Sequence, residues 1–474
     1  MSVRVNLKSK LFISGTLIMA CVGLNAFKEF SVSDQEIARR KEIITKAYNF
    51  GFPLVLMEYS KKAMLTKTET KTNQFDHLST FPDWKFRDVV RPNLDTFYSH
   101  AWLDLSNGPV VVTVPSTKRY YLIPALDAYT NVFSSVGTRT TGTKAQKFVY
   151  TGPNWSGKLP KGVKEIKCPT NMVWLLGRIE VQNQEDGETI VADIQDEIYI
   201  KPLKCNRKIT YRSNSFSSEK YTAKEPPIDY VKQLSIEEFF TKMSYLMKLY
   251  PPAAADSVLI EELKEIDFEI GDGFSLGMFS DEEKEIYSNI PEEVQAQWDE
   301  NLYGEQTKPW NLYIKDIGNY GINYEHRAYI SAIGLGANLP EDAVYPMTTV
   351  DKNLEDLNGE NNYVIHFSKN EIPSVNGFWS LTCYNNNDFL VHNELDRYAI
   401  GDRCHLKFNK DGSLDIYLQA NKPSNYKSIN WLPIPSDATF SLVLRMYWPK
   451  KEVFATDYKL PCVKKINSSN KVII

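Results

Sequence analysis

Histidine and cysteine are scarce here, and where they stand excludes the common metal and thiol sites. The chain of 474 residues holds six of each. The cysteines (Cys21, Cys168, Cys205, Cys383, Cys404 and Cys462) contain no C-x-x-C pair, and the histidines (His77, His100, His326, His366, His392 and His405) contain no ligand-spaced pair. Neither a zinc site nor any other metal is therefore expected. Cys168 and Cys205 could close a disulfide, but so few cysteines in so long a chain do not form a disulfide scaffold. Also missing are His-Glu-x-x-His, Gly-x-Gly-x-x-Gly and the phosphate-binding P-loop, so no cofactor is expected. There is no excess of positive charge. A formal charge of -4 gives a polyanion nothing to hold, which excludes nucleic acid as a partner.

What is present is an ordinary globular composition, 42% hydrophobic and 24% charged, in a chain long enough for two or three cores. The N-terminus stands apart. Arg4, Lys8 and Lys10 precede an uncharged stretch from Leu11 to Ala26, the pattern of an export signal over residues 1–26. Ile18-Met19-Ala20-Cys21 approaches a lipobox, with Cys21 as the lipidated residue, and a retained anchor helix is the alternative. The expected location is periplasmic, outer-membrane-tethered or secreted, with any membrane tether confined to this segment.

Ser33 followed by a stripe of Ile37, Ile43, Ile44, Ala47 and Tyr48 predicts a helix over 34–64, kinked or divided at Pro53. Strand-period runs follow at 110–114, 120–123, 132–136 and 172–181. After a polar, proline-bearing boundary at 223–227, helices are expected at 235–250, 257–266, 281–298 and 324–334. Ser235 and Glu238 form a capping box there. Strands return at 363–367, 378–384, 405–408, 414–420 and 440–448, with an Asp411-Gly412 turn before the fourth. The expected fold is mainly β with a helical middle. Its parts are an N-terminal helix plus sandwich over 33–222, a helical region over 228–345 and a C-terminal sandwich over 346–474.

Side-chain alternation divides each C-terminal strand into an apolar and a mixed face. If the three strands share one sheet, the mixed face gathers Ser380, Thr382, Tyr384, Asp415, Tyr417, Gln419, Arg445 and Tyr447. It is then either a solvated outer face or a surface whose rings and polar groups suit a sugar. In the N-terminal half Arg91-Pro92-Asn93-Leu94-Asp95-Thr96-Phe97-Tyr98 concentrates an arginine, an amide, a carboxylate and a phenol. Arg91 pairs with Asp95 in a capped turn, or Asp95 faces a cleft as an acid or base. Asn93 and Tyr98 then join Arg91 as ligand contacts. A hydroxyl-rich turn, Gly137-Thr138-Arg139-Thr140-Thr141-Gly142, offers Arg139 to a carboxylate or other anion. Asp95, Asp127 and Asp402 are the candidate catalytic carboxylates.

These segments also carry a family resemblance. Arg91 to Ser99 and the Gly137 to Gly142 turn resemble the domain of unknown function 1254. Gly377-Phe378-Trp379-Ser380-Leu381-Thr382, Asn393 through Tyr398, Gly401-Asp402-Arg403, Asn430-Trp431-Leu432-Pro433 and Arg445-Met446-Tyr447-Trp448-Pro449 resemble its C-terminal partner, domain of unknown function 1214. The resemblance implies an immunoglobulin-like N-terminal sandwich, a helical bridge and a jelly-roll-like C-terminal sandwich in exported bacterial proteins. It carries over no catalytic residues. Two functions stay open: a glycan-active hydrolase or deglycosylase working through carboxylates, and a non-catalytic envelope or surface protein that binds a glycan or envelope polymer.

Overall fold

The computed structural model describes residues 32–87, 89–203, 222, 224–303, 306–423 and 425–466, so the expected export signal over residues 1–26, with Cys21, and Cys205 lie outside the described residues. Cys168 is buried with a free thiol.

The first helix runs from Val32 to Thr68 and passes through Pro53 undivided. A proline inside a helix removes one backbone hydrogen bond. Packing offsets that loss here, because Ile43, Ile44, Phe50, Phe52, Val55 and Met57 are all fully buried within the helical core. Gly51 allows a close approach to a neighbouring helix: a Cβ there would fall 2.3 Å from Sδ of Met243 on the helix Ile236–Leu249. That second helix begins at the reciprocal Ser235–Glu238 capping box. The helical run expected over 281–298 is two helices, Asp281–Ser288 and Ile290–Tyr303. Pro291 explains the break, since its missing N–H suits the first turn of a new helix.

Nine strands form the N-terminal sandwich: β1 (Phe75–His77), β2 (Thr96–Asp104), β3 (Val110–Val114), β4 (Tyr121–Leu126), β5 (Val132–Gly137), β6 (Gln146–Thr151), β7 (Lys164–Lys167), β8 (Met172–Glu180) and β9 (Tyr199–Pro202). They make one sheet in the order β1-β2-β8-β4-β5 and another in the order β7-β6-β3-β9. Leu103, Ile123 and Leu175 of the first sheet meet Val112, Phe148 and Tyr150 of the second. Alternation turns Trp102, Trp174 and Leu176 to the opposite face, where they join the core of the helical layer. The helices therefore cover the outer side of the larger sheet.

The C-terminal sandwich contains β10 (Ala343–Val344), β11 (Met347–Thr348), β12 (Asn362–Phe367), β13 (Trp379–Asn385), β14 (Ala399–Gly401), β15 (Leu414–Gln419), β16 (Trp431–Pro433), β17 (Phe440–Tyr447) and β18 (Val463–Ile466). Its sheets run β10-β17-β13-β14, with β11 also on β17, and β16-β15-β12-β18. Two sandwiches and a helical region are thus present, and the first helix packs with the helical region.

Two local expectations fail for identifiable reasons. Residues 405–408 form no strand, because the Asn430 side chain takes their backbone groups, accepting from Lys407 N at 2.9 Å and donating to Lys407 O at 2.7 Å. The turn after them forms as expected, with Gly412 at φ 85. More consequentially, β15 lies in a different sheet from β13 and β17. Asp415, Tyr417 and Gln419 therefore leave the mixed face: Asp415 bonds His366 Nδ1 at 2.6 Å, Tyr417 packs with Val364 and Ile466, and Gln419 donates to Asn421 O at 2.6 Å.

Candidate functional site at the domain seam

β13 and β17 pair antiparallel with Ser380 opposite Arg445 and Thr382 opposite Val443. This register places Ser380, Thr382, Tyr384, Arg445 and Tyr447 on one face, as alternation predicts. Solvent does not meet that face; the loop 91–95 of the N-terminal domain does. Asn93 Oδ1 accepts the N–H groups of Asp95 at 2.7 Å and Thr96 at 3.2 Å, a side-chain turn that leads the chain into β2. The loop is then fixed across the seam. Tyr384 OH donates to Pro92 O at 2.7 Å, Arg445 donates to Arg91 O at 2.9 Å and to Thr382 Oγ1 at 3.0 Å, and Asn93 Nδ2 donates to Tyr447 OH at 2.9 Å.

Arg91 and Asp95 do not pair with each other. Arg91 forms a two-pronged ion pair with Asp388 of the C-terminal domain, at 2.9 and 2.8 Å. Asp95 is wholly buried, ion-paired with Arg403, and accepts from Ser380 Oγ at 2.6 Å and from Tyr447 OH at 3.4 Å. Arg403 also donates to Asp95 O at 3.0 Å and to Val181 O at 2.5 Å.

A second buried guanidinium closes the cluster from β8. Arg178 donates to Asn338 Oδ1 at 2.5 Å and to Gly336 O at 3.1 Å, and lies 5.2 Å from the centre of the Tyr98 ring. Asn338 in turn donates to Tyr345 OH at 2.5 Å, and the Tyr345 ring meets Tyr447 edge-on at 6.4 Å.

The charge balance is the unusual feature. Arg178 and Arg445 are only 6% and 4% exposed, yet among the described residues neither forms an ion pair with a carboxylate. Nε of Arg178 is buried without a hydrogen-bond partner. Burial pushes the phenol of Tyr345 up to about 12 and that of Tyr447 well above its ordinary range, so both are hydroxyl donors at neutral pH. Asn93, Tyr98 and Tyr345 are only half-buried, so the cluster reaches solvent through them. Arg178 and Arg445 thus lie buried among phenol and amide groups with no salt bridge of their own, and the nearest carboxylate charge to Arg445, that of Asp95, is already paired with Arg403.

Residues 72–202 match the family model described as "Protein of unknown function (DUF1254)", and residues 342–451 the one described as "Protein of unknown function (DUF1214)". The chain is a paired DUF1254–DUF1214 protein. The VPA0106 protein from Vibrio parahaemolyticus, a solved structure, is similar in fold, with a TM-score of 0.66 and 24% identity over 90% of this chain and 100% of that one. A putative uncharacterized protein from Burkholderia cenocepacia aligns with a TM-score of 0.44 and 11% identity, over 91% of this chain and 95% of that one. No curated protein matches the chain.

The seam joins the DUF1254 and DUF1214 domains, and it collects much of what the sequence singles out: Arg91, Asn93, Asp95, Tyr98, Tyr384, Arg445 and Tyr447. The other carboxylates lie elsewhere or at its rim. Asp127 is buried and caps its own turn, accepting N–H groups from Tyr129 and Asn131, both at 2.9 Å. Burial raises its pKa against those donors. Asp402 is exposed and accepts Trp379 N at 3.2 Å. Crowding around its carboxyl raises its pKa to about 6, opposed by the Trp379 N–H and Arg403 and assisted by Glu180 and Asp95. Arg139 is held by buried Asp342 through Nε at 2.6 Å.

Sequence reasoning missed Arg178, Asn338 and Tyr345. Arg178 left a usable signal: it is the one charge ahead of the terminal Glu180 in the otherwise apolar strand Met172–Glu180. Asn338 and Tyr345 sit in an irregular connection, where no periodicity marks the side a residue takes.

Proposed function

We propose that this protein binds a small organic anion, carboxylate- or phosphate-bearing, at the seam between its two domains. The observation that carries this reading is the burial of Arg178 and Arg445 without a salt bridge of their own, beside the hydroxyls of Tyr98 and Tyr345, while Asp95, the carboxylate whose charge reaches Arg445, is already paired with Arg403. An uncompensated buried charge costs several kcal/mol, and an anionic ligand offsets that cost. Binding rather than hydrolysis is favoured because Asp95 and Asp127 both spend their carboxylates on holding the fold together.

A second reading retains carboxylate-driven glycan hydrolysis, on the strength of Asp402. It is exposed, its pKa is raised to about 6, and Glu180 is its carboxylate neighbour, a pairing suited to a general acid with an ionised partner. In either reading the basic and then apolar pattern of residues 1–26 supports export, with Cys21 as a point of tethering.

A thermal-shift screen of the purified protein against hexuronates, dicarboxylates and sugar phosphates tests the binding reading. A ligand at about 100 times its Kd stabilises by about 2.7 kcal/mol, a shift of several degrees. Arg178→Gln and Arg445→Gln are expected to abolish that shift; no shift from any anion, or an equal shift from the neutral counterparts, counts against the proposal. Mass spectrometry of incubated oligosaccharides tests the second reading, and cleavage that survives Asp402→Asn eliminates it.

A further inference from the structure

A groove of about 450 Å³ opens where the Arg139 turn of the DUF1254 domain faces the chain leaving β17, and it shares no lining residue with the seam cluster. That volume lies within the roughly 300–1,000 Å³ of small-ligand sites. Three features of its wall are specific.

The first is Trp448, which lines the groove half-buried and holds φ 49, a left-handed backbone that a bulky residue rarely adopts. Its backbone is pinned on both sides, its N–H donating to Asp342 O and its carbonyl accepting from Asn376 N, each at 2.7 Å. Strain of this kind persists where the surroundings impose it and gathers at ligand clamps. The second is Arg139. Asp342, 2% exposed, grips its Nε, and no hydrogen bond within the described residues occupies its terminal nitrogens. A guanidinium oriented in this way is ready for two-pronged pairing with an oxyanion. The third is the mixture around them. Phe454 extends the apolar wall, Lys450 and Lys451 add positive charge, and Glu341, Glu452 and Asn376 supply acceptors.

We infer that this groove is a second binding site, for a saccharide carrying a carboxylate. The Trp448 ring offers apolar surface to the C–H face of a sugar, Arg139 and the two lysines take the carboxylate, and Glu341, Glu452 and Asn376 accept from hydroxyls. A fatty acid would leave those acceptors unpaired.

Isothermal titration with trigalacturonate, triglucuronate, trimannuronate, their methyl esters and neutral galactotriose tests this inference. At least one uronate trimer is expected to bind saturably, with its ester and the neutral trimer at least about tenfold weaker, the worth of one charge-assisted hydrogen bond. Trp448→Gly removes the ring, and relaxing the left-handed backbone offsets part of the packing lost against Tyr120, Phe378 and Tyr447, so binding should be lost in a protein that still unfolds cooperatively. Lys450→Ala and Lys451→Ala, both on exposed residues, should weaken the acid and leave the ester unaffected. Equal affinity for acid and ester, full affinity in Trp448→Gly, or no saturable binding by any of the three uronates would each overturn the inference.

Discussion

Arg403 buries its guanidinium against the carboxylate of Asp95, which lies 308 residues earlier in the chain and in the other domain. It also stacks on Phe378, 4.5 Å from the ring centre, so one side chain fixes both the polar and the aromatic halves of the seam. Two domains with separate cores are thus joined through a desolvated ion pair, which makes their relative placement sensitive to single atoms.

Replacing either partner should therefore destabilise strongly. Asp95→Asn leaves Arg403 buried without its counter-charge, and Arg403→Met leaves Asp95 in the same state. Each is expected to cost about 3–5 kcal/mol, while the double variant should cost clearly less than the sum. Urea denaturation of the four proteins measures the coupling. Additive losses would show that the pair does not hold the seam.

A subtler route to the same seam runs through Gly401. It sits opposite Ser380 in β14, and a Cβ there would lie 2.1 Å from Trp379 O and 2.9 Å from Ser380 Cα. Both obstacles are backbone, so β14 must move and carry Arg403 with it. Gly401→Ala should cost about 1–3 kcal/mol. Gly334→Ala is the control, because a Cβ there, at the end of a helix, meets nothing within 4 Å; it should be neutral or gain about 0.4–1 kcal/mol. Thermal unfolding of the two variants separates the effects, and equal Tm values would remove the steric argument.

How far the seam was legible in the sequence follows from what alternation can and cannot fix. Period-2 patterning divides β13 and β17 correctly, because each side chain's face follows from its neighbours, and the register brings Ser380, Arg445 and Tyr447 together. The same patterning cannot say which sheet a strand joins. β15 alternates just as cleanly but pairs with β12 and β16, so Asp415, Tyr417 and Gln419 go elsewhere. Partner choice among charges was equally hidden: Arg91 and Asp95 are close in sequence, but their actual partners, Asp388 and Arg403, come from loops beside β13 and β14. The capping box at Ser235 and the turn at Gly412 were readable because both are settled within a few residues.

Acid stability should report on His100, which lies between the rings of Tyr98 and Trp174 at centroid distances of 5.5 and 6.1 Å. Burial, then the charge of Arg178 and that of His77, lower its pKa to about 4, against 6.5 ordinarily. The unfolded chain therefore takes up a proton between those values that the folded protein refuses. Stability is whole above about pH 6.5 and is lost as pH falls toward 4, by up to about 3 kcal/mol. Asp402 acts in the opposite sense. Its folded pKa of about 6 exceeds the ordinary 3.8, so its contribution is present at low pH and is lost as pH rises through 6. Solvent screening makes that term the smaller one, since Asp402 is exposed. Unfolding free energies measured by urea at pH 7, 5.5 and 4.5 should fall with pH in the native protein. His100→Phe should flatten or reverse that slope, and Asp402→Asn should steepen it. A slope unchanged by His100→Phe would mean that the imidazole protonates freely in the folded state, and that water reaches the seam more deeply than the packing of Tyr98 and Trp174 allows.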